Sequence, residues 1–170
     1  MEKADKIILT DADGVLLNWE YAFSCWMQQQ GYEKQPGASF QYDIAVAFNL
    51  ESNNKGHKLV KRFNESAAMG FLPALRDSVH YVKKLHEEHG YEFHCITSMS
   101  TDKHAFKLRR MNIEKLFGLS AFTKLVCLAT GAPKDDALAE NLNSETFYEL
   151  MEEVEKQYSM HIKRQATLNL

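Results

Sequence analysis

The sequence predicts an α/β fold, a Rossmann-like parallel sheet flanked by helices. Three short runs rich in strand-forming residues, at 6–10, 91–98 and 124–130, alternate with segments of helical periodicity. Strands that alternate with helices of this length form parallel sheets with right-handed crossovers. A chain of 170 residues can bury a substantial core, and its length suits one domain or one domain with a small insertion.

The first predicted strand and helix follow each other closely. KIILT, residues 6–10, is almost wholly apolar, which is typical of a central parallel strand covered on both faces. Gly14 allows a turn after this strand. The helix that follows is predicted to end near Gly31, and its apolar face is formed by Trp19, Ala22, Phe23, Trp26 and Met27.

The middle of the chain is predicted to be an insertion. Residues 31–56 contain glycine, proline, serine and asparagine without a long periodic stretch, and SNNKG at 52–56 is predicted to be an exposed loop. A second helix is predicted to have Pro73 in its first turn and to end at Gly90. The second strand follows at once, and a third helix connects it to the third strand.

Charge, hydropathy and cysteine content limit the partners and the location that are expected for this chain. A net charge of −3 with 25% charged residues provides no positive surface for duplex nucleic acid, although a local pocket can still bind a small anion. No apolar run approaches the roughly 18 residues of a membrane span, so no membrane partner is expected. The opening MEKADK lacks the form of a secretion signal, which predicts a cytoplasmic protein. Cys25, Cys95 and Cys127 are far apart and are predicted to be reduced, mostly buried thiols.

Polar residues follow each of the three predicted strands. In such sheets ligands bind beyond the carboxyl ends of the strands, so these residues are expected to converge at one edge. Two carboxylates, hydroxyls and an ammonium suit phosphoryl transfer, in which one carboxylate attacks phosphorus and another protonates the leaving oxygen. Mg²⁺ held by oxygen ligands would offset the negative charge. The residues are Asp11 and Asp13 after the first strand, Thr97 and Ser98 after the second, and Lys134 after the third.

DADGVLLNW, residues 11–19, resembles the first motif, DxDGVL, of the haloacid dehalogenase-like superfamily of phosphohydrolases. The hydroxyl and the lysine follow in the order that this superfamily has. The resemblance implies that Asp11 is the nucleophile and Asp13 the acid/base. It also implies that Thr97 contacts the phosphate, that Lys134 supplies the ammonium, and that Asp11 and Asp13 hold Mg²⁺.

Within that superfamily, DADGVLLNWEYAFSCWMQ and CITS look most like the 5′(3′)-deoxyribonucleotidase branch, whose small helical cap lends aromatic side chains to the substrate pocket. The likeness implies a core formed by residues 1–17 and 71–170 and a small helical cap at 18–70. An aromatic stripe on a helix is nonetheless more often core than pocket. The residues that the likeness assigns to substrate binding are Gly14, Trp19, Phe23 and Ser98.

The fourth motif of the superfamily is not evident in this sequence. It is an acidic pair, or an acid with a second acid a few residues on, at the end of a further apolar strand beyond the lysine. The 36 residues after Lys134 instead have the pattern of an amphipathic helix, followed at best by a polar edge strand. Asp135 and Asp136 are candidates for the missing metal ligand. Acids just before a helical segment are also typical of its N-terminal cap, which is the simpler interpretation.

These observations predict a magnesium-dependent phosphomonoester hydrolase with an aspartyl-phosphate intermediate. The expected partner is a small phosphorylated substrate, a 5′- or 3′-(deoxy)nucleotide. The alternative is a catalytically impaired pseudoenzyme of the same superfamily that serves as a phosphate-, nucleotide- or protein-binding module. The first motif favours the enzyme, and the missing fourth motif favours the module. Lys103 and Lys124 remain alternatives to Lys134 for the ammonium.

Overall fold

The computed structural model describes residues 6–38 and 41–139. The chain divides into two compact units, Met1–Ala132 and Pro133–Leu170. The predicted helix and edge segment beyond residue 139 lie outside the described residues. No helix in the described part of the chain is long and apolar enough to cross a membrane.

The first unit contains a parallel three-stranded sheet. β1 spans Ile7–Thr10, β2 spans Glu92–Ser98 and β3 spans Phe122–Leu128, and their order across the sheet is β1-β2-β3. Thr10 at the end of β1 lies opposite Cys95 of β2. Because all three strands run in the same direction, their carboxyl ends point to the same side of the sheet. The predicted α/β fold, with a parallel sheet flanked by helices, is confirmed.

β1 pairs with β2 alone within the described residues, so it lies at an edge of this part of the sheet. The apolar run KIILT predicted a central strand instead, and all four residues of β1 are half-buried. An apolar run indicates that the faces of a strand are covered. Neighbouring strands pair through backbone N–H and C=O groups, which nearly every residue carries. The side-chain pattern therefore does not show whether a strand has a neighbour on one edge or on both.

The segment between β1 and β2 contains most of the helices of the first unit. α1 spans Trp19–Gln29, α2 spans Ile44–Ala47 and α3 spans Asn53–Asn64, and a 3₁₀ helix follows at Ala67–Phe71. These four elements lie in the predicted cap, residues 18–70, or overlap its end. This segment is therefore largely helical, and its role as a cap stays a prediction.

The prediction of an exposed loop at residues 52–56 is wrong. Ser52 is the N-cap of α3, and its hydroxyl accepts a hydrogen bond from the backbone N–H of Lys55 at 3.3 Å. This polar first turn carries no apolar periodicity because the large buried side chains of α3, Leu59 and Phe63, come later. A serine cap followed by asparagines thus looks like a loop until the helix is seen.

The chain enters and leaves the helical insertion through two segments that hydrogen-bond to each other. The backbone N–H of Asn18 donates to the Pro73 carbonyl at 2.8 Å, and that of Leu75 donates to the Leu16 carbonyl at 2.9 Å. Pro73 therefore lies in this paired segment. The prediction that it lies in the first turn of a helix is wrong. α4 begins later and spans Ser78–Lys83.

Two further helical elements flank the sheet in the first unit. α4 continues into a π-helical turn at Lys84–Glu88, and α5 spans Lys103–Phe117 between β2 and β3. The Asp102 side chain caps α5, because it accepts from the backbone N–H groups of His104 at 2.9 Å and Ala105 at 2.8 Å. Both helical segments confirm the predicted periodicity.

Aromatic side chains from α1 and α3 form the centre of the insertion. Phe23 and Phe63 are buried, and their ring centroids lie 5.3 Å apart in an edge-to-face arrangement. Trp19 stacks on Phe23 with a centroid distance of 4.7 Å. The aromatic stripe of α1 is thus mainly core.

The second unit contains α6, at Asp135–Ala139, within its described residues. Asp135 and Asp136 lie in the first turn of this helix. Carboxylates stabilise that end of a helix through its dipole, which is the role that the simpler interpretation of the sequence gave them.

We expect Asp102→Ala to lower the free energy of unfolding by about 1 kcal/mol, because two N–H groups at the start of α5 lose their acceptor. Asp102→Ser keeps a capping oxygen and should stay close to the parent. Urea unfolding followed by circular dichroism measures both values. Equal losses in the two variants would contradict a capping role for Asp102.

Candidate active site

The turn after β1 begins with Asp11. One oxygen of its carboxylate, Oδ1, accepts from the backbone N–H of Ala12 at 2.7 Å. The Ala12 carbonyl in turn accepts from the N–H groups of Leu16 and Leu17, each at 2.9 Å. Gly14 has a φ of +79°, and a Cβ there would meet nothing within 4 Å. The backbone angle of the turn, and not a lack of space, is what favours glycine at this position.

The carboxylate of Asp13 is paired with a buried arginine. Nη2 of Arg109, on α5, donates to Oδ2 of Asp13 at 2.7 Å. The Arg109 side chain is 0% exposed and that of Asp13 is 23% exposed. A guanidinium is buried without severe cost only when an anion compensates its charge. This ion pair therefore ties α5 to the turn after β1.

Sequence analysis did not select Arg109, although the helical spacing carries a signal. Ala105 and Ile113, four residues to either side of Arg109, are both buried in α5. Arginine at a position of the buried face is unusual and indicates a buried anionic partner. The spacing does not say which carboxylate that partner is.

The two predicted hydroxyls of β2 differ in exposure. Thr97 is fully buried, and within the described residues its Oγ1 has no hydrogen-bond partner. Cys95 lies two residues before Thr97 and therefore on the same face of the sheet. Cys127 on β3 is the register partner of Thr97. Ser98 is half-buried. Ser98 is therefore the more exposed of the two residues at the end of β2.

Burial disfavours ionisation of the two cysteines near this face. Burial raises the pKa of the Cys95 thiol to about 12 and that of Cys127 to about 11, although the charge of Arg109 acts in the opposite direction. A thiol with so high a pKa stays protonated at neutral pH. Cys25, Cys95 and Cys127 are all reduced, with Cys95 buried and the other two half-buried, in agreement with the prediction.

A cavity of about 780 Å³ lies beside Asp13. Its lining combines the turn after β1 with the three α-helices of the insertion and with Thr130, which follows β3. Of the predicted substrate-binding residues, Gly14, Trp19 and Phe23 line it and Ser98 does not. Pockets for small organic ligands have volumes of about 300–1,000 Å³, so the cavity can hold a substrate of nucleotide size.

The cavity lining also contains polar residues that the sequence patterns did not indicate, and four of them can contact a ligand chemically. Tyr42 is 98% exposed, which is unusual for a tyrosine. The Thr130 hydroxyl donates to the Met99 carbonyl and so joins the segments after β2 and β3. A hydroxyl at the end of the third strand was a usable signal, because the same signal selected those of the second. The four residues are Lys34, Tyr42, His57 and Thr130.

The charged groups around the cavity are largely engaged with partners. Lys34 Nζ forms an ion pair with Oε1 of Glu20 at 2.7 Å. Asp43 is the N-cap of α2, and its Oδ1 accepts from the Ala45 N–H at 2.8 Å. These contacts hold the helices of the insertion in place around the cavity.

Asp11 and Asp13 offer Mg²⁺ oxygen donors, the type of ligand it prefers. Within the described residues no three His, Cys, Asp or Glu side chains are grouped as they would be to hold a metal ion. Mg²⁺ usually keeps several waters and takes one or two carboxylates plus substrate phosphate. A donor set of the Asp11 carboxylate and the Asp13 backbone carbonyl fits that arrangement.

The remaining predicted site residues lie elsewhere in the chain. Lys134, Asp135 and Asp136 belong to the second unit, so their part in a site at Asp11 stays a prediction. Lys103 is the first residue of α5 and Lys124 lies within β3, and both are exposed.

No protein-family model matches the chain. The chain is similar to a protein of Enterobacteria phage T4 described as an uncharacterized 32.4 kDa protein in the Gp30-rIII intergenic region, with 25% identity over 142 residues. The match covers 76% of this chain and 47% of the phage protein, so the chain spans about half the length of that relative. This description of the phage protein names no activity.

Asp13→Asn should destabilise the protein more than Arg109→Met. The first change leaves a fully buried charge without an anion, at a cost of about 3–5 kcal/mol. The second removes the buried charge together with its hydrogen bond and leaves the Asp13 side chain, which is 23% exposed. We expect a loss of about 1–2 kcal/mol, as for an ordinary substitution.

Urea denaturation of both single variants and of the double variant measures these free energies. The double variant should be no less stable than Asp13→Asn alone, because it also removes the buried charge. A larger loss for Arg109→Met than for Asp13→Asn would contradict this account of the pair.

Proposed function

We propose that the chain is a magnesium-dependent phosphatase of the haloacid dehalogenase-like superfamily that acts on small phosphomonoesters. The observation that carries the proposal is the position of the two aspartates. Asp11 and Asp13 follow a strand of a parallel sheet at its carboxyl end, and Asp13 lines a cavity large enough for a small substrate. The DxDGVL resemblance supports the same assignment.

In the proposed reaction a carboxylate oxygen of Asp11 attacks phosphorus. The bond from phosphorus to the leaving oxygen breaks, and Asp13, which must carry a proton in the substrate complex, gives that proton to the leaving oxygen. Asp13 then takes a proton from water, whose oxygen attacks the phosphorus of the aspartyl phosphate and restores the Asp11 carboxylate with release of phosphate. Bound Mg²⁺ would neutralise negative charge on the phosphate and on Asp11.

A nucleotide is the substrate class that we propose. The resemblance to deoxyribonucleotidases supports it, and so do the volume of the cavity and the exposed Tyr42 ring in its lining. Aromatic side chains stack on the flat face of a nucleobase, whichever base it is. We also propose a cytoplasmic location, in keeping with three reduced cysteines.

A pseudoenzyme remains the second candidate. The buried Thr97 hydroxyl favours it, because a residue proposed to touch phosphate lies out of solvent. A fourth motif was also not found in the sequence. The two candidates differ in turnover, which the following experiment measures.

Purified protein should release phosphate from a panel of phosphomonoesters with Mg²⁺ and should lose that activity with chelator.

Asp11→Asn should abolish release, because an amide cannot form the acyl phosphate. The fold should persist, since the Asn side-chain oxygen can still accept from the Ala12 N–H. Asp77→Asn, a change of an exposed carboxylate outside the cavity lining, is the matched control. No turnover by the parent at any Mg²⁺ concentration would favour the pseudoenzyme, and undiminished turnover by Asp11→Asn would remove Asp11 as the nucleophile.

Tyr42→Ala should raise KM for deoxyadenosine 5′-monophosphate about tenfold, since stacking of a base on an aromatic ring contributes about 1–3 kcal/mol. KM for glycerol 2-phosphate, which has no base, should stay unchanged. Tyr81→Ala removes another exposed tyrosine, outside the cavity lining, and is the control. Steady-state kinetics on both substrates test this, and a parallel rise of both KM values would contradict stacking.

A further inference from the structure

We propose that Arg109 is a positioning residue, which holds the Asp13 carboxylate in the orientation needed to protonate the leaving oxygen. The inference rests on the proposed phosphatase function and adds to it a residue outside the motifs of the sequence. Arg109 is not in the lining of the cavity, whereas Asp13 is. It would therefore act through Asp13 and not on the substrate.

The geometry of the pair supports a positioning role. The N–H groups of a guanidinium lie in a rigid plane, so a hydrogen bond from Nη2 restricts the direction of the carboxylate that accepts it. The Arg109 side chain is 0% exposed and lies on the buried face of α5, so its own position is fixed by packing. Asp13 lies in a turn next to Gly14 and is 23% exposed. The hydrogen bond from Nη2 thus fixes the direction of Oδ2 of Asp13 from the side of the core.

The hydrogen bonding of Arg109 argues against stability as its main role. Within the described residues, Nε and Nη1 are buried and have no hydrogen-bond partner. Buried polar groups without partners are destabilising, and an apolar side chain of similar volume would avoid that cost. The bond from Nη2 to Asp13 is the hydrogen bond that the structure gives this guanidinium.

The position of Asp13 joins the buried charge to the candidate site. Its carboxylate contacts Arg109, and the same residue lines the cavity together with Gly14. A small rotation of this carboxylate would displace the proton donor from the leaving oxygen, and misplacement by about 1 Å can lower a rate about a hundredfold. Arg109 therefore affects protonation of the leaving group and not binding of the phosphate.

The test compares two substrates that differ in their need for a proton. Glycerol 2-phosphate has an alkoxide leaving group that requires protonation, whereas the nitrophenolate of p-nitrophenyl phosphate leaves readily without it. In Arg109→Met, kcat for glycerol 2-phosphate should fall about 100-fold, the usual contribution of a general acid. For p-nitrophenyl phosphate it should fall less than about threefold, and both KM values should stay near those of the parent because attack by Asp11 and substrate binding are unaffected.

Arg109→Lys and Arg110→Met complete the set. Lysine keeps a charge at position 109 without the planar fork, so the ratio of the two kcat values should lie between those of the parent and Arg109→Met. This variant keeps the test readable if Arg109→Met does not fold. Arg110 forms an exposed ion pair with Glu114 at 2.9 Å, and its loss should leave both substrates unaffected.

The outcomes separate the two proposals. A parent that hydrolyses neither substrate with Mg²⁺ would overturn the phosphatase function and the positioning role with it. An active parent whose Arg109 variants lose both substrates equally, with a lowered urea midpoint, would overturn the positioning role alone. A selective loss on glycerol 2-phosphate, at a nearly unchanged KM, is the result that we expect.

Discussion

The buried charge of Arg109 is the constraint that links α5 to the turn after β1. A guanidinium with no exposed surface requires an anion within hydrogen-bonding distance, and the Asp13 carboxylate at 2.7 Å supplies it. α5 and the turn after β1 must therefore keep their relative position. The same carboxylate lines the cavity, so its direction at the candidate site is set from within the core. One ion pair thus contributes both to the packing of a helix and to the geometry of the site.

The helical insertion forms most of the cavity wall, and aromatic side chains pack against one another at its centre. Trp19 stacks on Phe23, and its indole N–H donates to Oδ1 of Asn64 at 2.9 Å. Its ring and its N–H are therefore engaged within the insertion. Tyr42 lies on the same cavity and is almost wholly exposed. The insertion thus combines a packed wall with an aromatic ring available for a ligand, an arrangement that suits recognition of a substrate more than catalysis.

The parallel sheet and the longer helices followed from the sequence because periodicity is a local property of the chain. A run of strand formers or an apolar stripe at 3.6-residue spacing is visible without knowledge of the rest of the molecule. The start of α3 was missed because its first turn is polar and its cap at Ser52 resembles a loop signal. Pro73 was misplaced because its carbonyl pairs with the distant Asn18, and no local pattern reports that contact.

The sequence by itself determined that two aspartates and a glycine follow an apolar strand, because these residues are contiguous and their motif is specific. It also indicated that the three cysteines form no disulfide, because they are far apart in the chain. Only the tertiary structure decided that Arg109 is the partner of Asp13, since the two residues are 96 positions apart and the packing of α5 selects one carboxylate among many. It likewise decided that Thr97 is buried and that Tyr42 is exposed on the cavity. Burial and pairing across long distances depend on how the elements pack, and a pattern read along one chain does not contain that information.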